Sequence, residues 1–145
     1  MAKFSIISQF LKDISFESPN VPELFFKSDN GQAKLEINID IQIKGAENNL
    51  FMVDLITKVH SKLENNDKTI FLIESNYSSL VQMDEEPNEE IKKRTLLIDV
   101  PTLLFPSVRG LVTRLISESG FPAFTLQPVD FSQLYEEKHA EKQAK

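Results

Sequence analysis

Residues 101–131 read PTLLFPSVRGLVTRLISESGFPAFTLQPVDF, and this stretch contains the most apolar helical pattern in the chain. Its main apolar residues recur at intervals of four, three and four, close to the period of an α-helix: Leu104, Val108, Leu111 and Leu115. Gly120 lies where such a helix needs a residue of positive φ to end it, and Pro122 follows. A helix this apolar requires cover, either from its own chain or from other copies of it.

The overall composition indicates one acidic domain. The chain has 145 residues, and single domains cluster near ~100–150 residues. Its formal net charge is −6 and its isoelectric point is about 5.0. Nucleic-acid binders need clustered lysine and arginine against phosphate, and the sequence has no such cluster. We therefore expect no nucleic-acid partner and a preference for basic protein surfaces.

Several other classes of protein are excluded by what the sequence lacks. There is no cysteine, so disulfides, thiolate metal sites and thiol catalysis are ruled out. No apolar run approaches the ~18–20 residues of a membrane span, and the first residues lack the apolar core of a signal peptide. These features predict a cytoplasmic protein without direct membrane insertion.

Alternating hydrophobic residues predict an antiparallel sheet in the first half of the chain. Residues 34–44 alternate completely between isoleucine or leucine and polar residues, which predicts a strand with one wet face. A polar turn joins this strand to a second over 50–62, and a third follows over 68–78. Two short strand-like pieces, 3–10 and 12–17, precede them. The pattern predicts a four-stranded antiparallel meander.

The segments between these elements predict one unusual loop and a first helix. Leu24, Phe25 and Phe26 lie in a proline-bounded loop, where bulky apolar side chains either pack back onto the domain or line a binding surface. A short helix is predicted over 91–100, with Asn88 as its N-cap and acidic residues in its first turn.

The C-terminal region predicts a last short helix and a tail. Asp130 is placed to cap this helix. The helix carries three large apolar side chains: Phe131, Leu134 and Tyr135. Residues 136–145 have no apolar periodicity, which predicts a disordered charged tail.

Residues able to support catalysis or metal binding are sparse. His60 lies on a predicted strand and His139 in the tail, and neither has a companion ligand at the spacing of a metal site. The four glycines form no phosphate-binding loop or dinucleotide fingerprint, and no GxSxG sequence occurs. The sequence therefore predicts no catalytic residue, no metal and no cofactor, in a protein that is not an enzyme.

Two ordered blocks of sequence resemble the SecB family of export chaperones. In chain order the matching motifs are KDISFESPN (12–20), LFP (104–106), GFP (120–122) and LQPVDF (126–131). Their order and separation match the family, and the likeness covers nearly the whole chain. It implies a single SecB-like domain over 1–135, followed by the charged tail at 136–145.

The resemblance implies both an architecture and a function. The architecture is an α+β fold in which helices pack on one face of a four-stranded antiparallel sheet, assembled as a homotetramer of two dimers. The function is that of an ATP-independent cytosolic chaperone that holds unfolded precursor proteins and delivers them to the SecA translocation motor. Stacking of helices between dimers would explain the excess apolar surface. That contact would use the helix residues Leu104, Val108, Leu111 and Leu115.

The family pattern also implies a SecA-binding surface at Asp13, Glu17, Leu72 and Glu74. Strand alternation independently puts Asp13 with Glu17 on one polar face, and Leu72 with Glu74 on another. Three carboxylates around one leucine suit a basic partner, because the charges steer its approach and the leucine anchors it.

An apolar groove for client polypeptides is a further implication of the resemblance. Recognition of unfolded chains rests on apolar area and exposed backbone, which favours long grooves over pockets. Some of the aromatic residues could instead fill the core under the loop. The predicted groove residues are Val21, Leu24, Phe25, Phe26, Leu35, Ile37, Phe131, Leu134 and Tyr135.

Two other functions stay open at this point. A hot-dog-type thioesterase also wraps an antiparallel sheet around a long apolar helix, but it needs a carboxylate near that helix, and 103–116 offers none. A structural or adaptor subunit could use the same helix for assembly while binding only folded partners. An acyl-CoA thioesterase assay and an aggregation assay with a denatured precursor distinguish both from a chaperone.

Overall fold

The sheet and helices follow the sequence pattern, with differences in extent and order. The computed structural model describes residues 4–26, 31–84, 88–122 and 124–144. Within them, four antiparallel strands form one sheet: β1 (Phe4–Glu17), β2 (Ala33–Gly45), β3 (Leu50–Leu63) and β4 (Thr69–Met83). The α-helical segments are α1 (Glu23–Phe26), α2 (Glu89–Arg94), α3 (Val100–Glu118) and α4 (Phe131–Ala144).

β2 and β3 form the long hairpin that the alternation predicts. Ile41 lies directly opposite Leu55, so apolar residues of both strands share one face. The turn between the strands holds Asn48 and Asn49 at φ of 61° and 60°. Asparagine tolerates this left-handed region better than most residues, which lowers the conformational free energy needed to form the turn.

The strand order differs from the predicted meander. β1 pairs with β4 instead of β2, which gives the order β1-β4-β3-β2. The segment after β1 is tied to the start of β4: Ser18 Oγ donates to the Ile70 carbonyl at 2.6 Å, and Asn20 Nδ2 donates to the Thr69 carbonyl at 2.9 Å. Alternation specifies the face of a side chain but not the neighbouring strand, so the sequence pattern alone does not indicate this crossover.

β1 is a single strand rather than two short pieces. Its register with β4 shifts between Ile6 and Ser8, and again between Leu11 and Asp13. Each β-bulge adds one residue and changes the phase of the apolar alternation, so the sequence pattern looks interrupted. β4 is also longer than predicted and continues past residue 78 as far as Met83.

One continuous helix replaces the two predicted ones, and we call it the long helix. It runs over Glu89–Glu118 and comprises α2, a π-helical turn at Thr95–Asp99, and α3. Asn88 caps it as predicted, because its Oδ1 accepts a hydrogen bond from the Ile91 N–H at 2.8 Å. Pro101 lies just after the π-turn. Since proline has no N–H to donate, the wider turn before it lets the helix continue unbroken.

The long helix covers the inner face of the sheet. By length and composition alone it could cross a membrane, which corrects the prediction that no apolar run approaches that length. Its buried apolar side chains are Leu96, Val100, Pro101, Leu104, Phe105, Val108, Val112 and Ile116. The sheet contributes to the same core Val53, Leu55, Val59, Ile73 and Val81. The α+β fold with helices packed on one face is confirmed.

The predicted loop at residues 24–26 is helical. Leu24, Phe25 and Phe26 belong to the single turn α1, in which the Phe25 N–H donates to the Pro22 carbonyl at 2.9 Å. Pro22 lies at the start of this turn, where a backbone N–H would have no hydrogen-bond partner within the helix, so proline is tolerated there. Leu24 is buried, while Phe25 and Phe26 are exposed.

The last helix begins as predicted but extends further. Asp130 Oδ1 accepts from the Gln133 N–H at 3.0 Å, which confirms the predicted cap. The helix continues to Ala144, past the predicted boundary at residue 135. Glutamate, lysine, glutamine and alanine are strong helix formers, and Gln133 Nε2 donates to Glu137 Oε1 one turn later at 3.2 Å.

Gly120 ends the long helix as the sequence predicts. Its φ is 89°, and its N–H donates to the Ser117 carbonyl at 3.3 Å. The Phe121 N–H donates to the Ile116 carbonyl at 3.4 Å. These two bonds form a Schellman motif, which turns the chain away from the helix axis.

We predict that Gly120→Ala lowers the free energy of unfolding by about 1–2 kcal/mol, the usual cost of a left-handed conformation for an L-residue. A Cβ at this position would lie 3.5 Å from the Phe25 ring, an ordinary contact, so the cost lies in the backbone. Gly120→Asn is the matched control and should cost less, because asparagine visits this region more readily. Urea unfolding measures both variants. An alanine variant as stable as the parent would contradict the capping role.

Candidate binding surfaces

The outer face of the sheet, opposite the long helix, carries the predicted SecA-binding residues. Glu17 of β1 is directly opposite Leu72 of β4, and Glu74 is opposite Ser15, which lies between Asp13 and Glu17 along β1. The three carboxylates are exposed and Leu72 is half-buried. The fold therefore brings Asp13, Glu17, Leu72 and Glu74 together on one surface, which we call the acidic patch.

A buried carboxylate that was not predicted from the sequence also lies on the outer face. Asp54 is 2% exposed; Ser78 Oγ donates to its Oδ1 at 2.5 Å, and Lys12 Nζ is 3.5 Å from its Oδ2. A buried charge needs such partners, because an unpaired one is strongly destabilising. The sequence signal is a single aspartate within an otherwise apolar part of β3. Since Lys12 sits at the second bulge of β1, this contact fastens the bulge to the sheet.

A first cleft, of about 510 Å³, opens among α1, the start of β2 and the end of the long helix. Three predicted groove residues line it: Leu24, Phe25 and Leu35. Other apolar residues that the prediction did not include complete its wall: Ala33, Leu63, Ile70, Phe71, Ile116, Phe121, Pro122 and Phe124. The open form and apolar lining suit a flexible ligand with hydrophobic side chains.

A row of aromatic rings supports this first cleft. Ring centroids are 5.3 Å apart between Phe25 and Phe121, 5.6 Å between Phe121 and Phe71, and 6.0 Å between Phe71 and Phe16. These are favourable separations for aromatic pairs. Phe121 joins the row because the chain turns at Gly120, so its position depends on the end of the long helix.

A short ion pair stands at the edge of the first cleft. Lys34 Nζ lies 2.7 Å from Asp67 Oδ1, and this hydrogen bond, together with the opposite charges, raises the pKa of Lys34 and lowers the pKa of Asp67. The contribution of Asp67 to folding stability is lost as the pH falls through its lowered pKa. The contribution of Lys34 to folding stability is lost as the pH rises through its raised pKa. The pair therefore persists across neutral pH.

A second cleft, of about 600 Å³, lies between β2, the long helix and α4. Its lining residues are Asp40, Ile41, Ile43, Lys93, Leu97, Leu134, Tyr135 and Lys138. Helix α4 is held over it partly by charges: Lys138 Nζ is 3.8 Å from Asp40 Oδ1, and Arg94 Nη2 donates to Glu136 Oε1 at 3.2 Å. The predicted residues Leu134 and Tyr135 thus border a different cleft from Leu24, Phe25 and Leu35.

The remaining predicted groove residues line neither cleft. Phe131 is 2% exposed and packs edge-on against Phe105 at 6.0 Å, so it is a core residue, which corrects its assignment to the groove. Phe26 is 80% exposed and Ile37 is 38% exposed, while Val21 is half-buried. The sequence shows that these residues are apolar, but whether each one is buried depends on which elements pack over it in the fold.

Two of the four helix residues predicted for oligomer contacts are unavailable for them. Leu104 and Val108 are 0% exposed because the sheet of the same chain covers them, which corrects their assignment. Leu111 and Leu115 are half-buried, and Leu103 on the neighbouring face is 53% exposed. Helical periodicity identifies an apolar stripe but not the partner that covers it.

These surfaces have the features of binding sites for other polypeptides. In the part of the chain that the structure describes, no three acidic or histidine side chains converge as metal ligands. His60 Nε2 lies 2.9 Å from Thr69 Oγ1, an ordinary hydrogen bond on the outer face, and the side chain of His139 lies outside the described residues. Open apolar clefts together with a charged patch define a protein that binds other polypeptides.

Comparison with known proteins specifies the class further. A family model described as preprotein translocase subunit SecB matches residues 1–142. The chain therefore belongs to the SecB family of protein-export chaperones. This confirms the resemblance carried by the two sequence blocks and favours the chaperone over the thioesterase and adaptor alternatives.

Individual relatives agree with this assignment. The protein-export protein SecB of Magnetococcus marinus is 35% identical over 141 residues, which cover 97% of this chain and 85% of that protein. The protein of the same name from Rhodospirillum centenum is 33% identical over 128 residues, which cover 88% of this chain and 74% of that protein.

A solved structure shares the fold. It is a SecB-like chaperone of Mycobacterium tuberculosis in complex with a ChAD peptide from the HigA1 antitoxin. It superposes with a TM-score of 0.73, covering 87% of this chain and 90% of that chain, at 13% sequence identity. The fold is therefore that of a SecB-like chaperone even where the sequences have diverged.

Proposed function

We propose that this chain is an ATP-independent cytoplasmic chaperone that holds unfolded precursor proteins and delivers them to the SecA motor. The observation that carries the proposal is the separation of two apolar clefts from an acidic patch on the outer face of the sheet. A client in the clefts leaves the acidic patch free for a second protein. Membership of the SecB family supports the same function.

The two clefts lie toward opposite ends of the edge strand β2. Leu35 lines the first and Ile43 the second, and these side chains belong to the same face of the strand. The eight residue steps from Leu35 to Ile43 span about 26 Å, so an extended client segment of similar length could reach both clefts. Two weak contacts on one polypeptide raise the effective concentration of each, which allows firm holding without a deep pocket.

Phe25→Asp should reduce the capacity to suppress aggregation of a denatured precursor several-fold, because it puts a charge into the first cleft. Phe26→Asp is the matched comparison, since the neighbouring ring is 80% exposed and lies outside the cleft. Light scattering of the aggregating precursor measures both variants. A larger loss for Phe26→Asp would show that exposed aromatic area on α1, rather than the cleft, captures the client.

We further propose that the acidic patch docks SecA. Its carboxylates would attract a basic surface, and Leu72 at their centre would supply an apolar contact that excludes water. The patch lies on the sheet face that the long helix does not cover, so docking requires no change in the core. Exposed charges are screened over ~8 Å at physiological ionic strength, which predicts weaker docking at high salt.

Glu74→Lys should weaken SecA binding about tenfold or more and leave client capture unchanged, because like charges would then meet at the patch. Glu47→Lys is the control: it makes the same charge reversal in the β2–β3 turn, at the far end of the sheet. Isothermal titration with SecA and the aggregation assay give the two readouts. Equal loss of both activities in Glu74→Lys would contradict the separation of the two sites.

The proposed homotetramer would use surfaces that a single chain leaves open. On the long helix, Leu103 is 53% exposed and Leu111 is half-buried. On the edge strand β1, Ile7 is 55% and Leu11 is 41% exposed. An unpaired edge strand favours pairing with a second copy, and an exposed apolar helix face favours stacking on another helix.

Leu111→Asp should therefore dissociate the assembly while each chain stays folded. Leu104→Ala is the contrasting variant: it should leave the assembly mass unchanged but cost about 2–5 kcal/mol of stability, because it opens a cavity in the core. Multi-angle light scattering reports the mass, and circular dichroism reports folding. An unchanged mass for Leu111→Asp would argue against the helix interface.

A further inference from the structure

Lys58 of β3 lies directly beside the acidic patch. It is opposite Glu74 in the β3–β4 ladder, and its Nζ is 3.9 Å from Glu74 Oε1. Both side chains are about half exposed, at 47% and 54%, so water and other charged groups can reach the pair. The docking surface therefore contains a cation of its own.

Two neighbouring lysines of this face, Lys12 and Lys62, are held by carboxylates outside the acidic patch. Lys12 is adjacent to Asp13 in sequence, yet its Nζ contacts Asp54 in the buried cluster with Ser78. Lys62 Nζ is 3.4 Å from Glu36 Oε2. Of the ion pairs among the described residues, the one between Lys58 and Glu74 involves a carboxylate of the patch.

We propose that Lys58 is an internal counterion that competes with the basic partner for Glu74, and so sets the affinity of the acidic patch. The proposal rests on the proposed function, in which this patch docks SecA. An exposed ion pair at this distance is weak, so a lysine or arginine of the partner can replace Lys58 at Glu74. The displaced ammonium group stays within a few ångströms and repels the incoming cation, because this distance is shorter than the screening length.

This arrangement makes the affinity of the acidic patch for its basic partner lower than the number of carboxylates in the patch suggests. Asp13 and Glu17 face solvent, whereas Glu74 is partly neutralised until the partner arrives. A partner is therefore favoured when it brings a basic group to Glu74 and leaves room for Lys58 to move aside. Lys58 is in this sense a specificity-determining residue next to the docking surface.

The test measures SecA binding to the full chain by isothermal titration. Lys58→Gln should tighten binding about threefold to tenfold, the size expected from removing one like charge near the contact. Lys44→Gln is the matched control: it removes the same charge from the same face of the sheet, and Lys44 is opposite Met52, six residues along β3 from Lys58, so it lies about 20 Å away and beyond the screening length. It should change the affinity less. Circular dichroism of each variant checks the fold.

A double-mutant cycle assigns the effect to Glu74. In the Glu74→Gln background, Lys58→Gln should bring a much smaller gain, because the competition no longer exists. Unchanged or weaker binding of Lys58→Gln, or an effect equal to that of Lys44→Gln, would overturn the proposal. Failure of the proposed function looks different: Glu74→Lys would then bind SecA as tightly as the parent. Absence of any SecA binding would reject both.

Discussion

Burial of the apolar stripe of the long helix against β3 and β4 is the contact on which the rest of the structure depends. Leu104, Val108 and Val112 are 0% exposed in this layer, and Val53, Leu55 and Ile73 meet them from the sheet. Removing apolar area from water is the main favourable term in folding, so burial in this layer stabilises the domain. Because one helix covers one face, the other face of the sheet stays accessible.

The two kinds of surface follow from this asymmetry. The clefts form where the helix layer ends: the first beside the turn at Gly120, and the second where α4 returns over β2. The acidic patch forms on the uncovered face, where alternate residues of β1 and β4 point to solvent. The apolar clefts and the acidic patch thus lie on different sides of one sheet.

Much of this arrangement could be predicted from local pattern. The β2–β3 hairpin, the caps at Asn88 and Asp130, and the helix end at Gly120 each depend on a few neighbouring residues. The pairing of β1 with β4 could not be predicted, because it depends on contacts between distant residues. The bulges of β1 and the π-turn before Pro101 interrupt the apolar periodicity. The sequence therefore predicted two elements in each place where the structure has one continuous strand or helix.

By itself, the sequence determined which residues are apolar, which face of each strand they occupy, and the family to which the chain belongs. Only the tertiary structure decided what covers each apolar residue: Phe131 enters the core, Phe25 lines a cleft, and Leu104 is covered by its own sheet rather than left free. It also paired Lys58 with Glu74 across two strands. The physical reason is that burial and ion pairing depend on distances in space, while sequence periodicity reports only direction along one element.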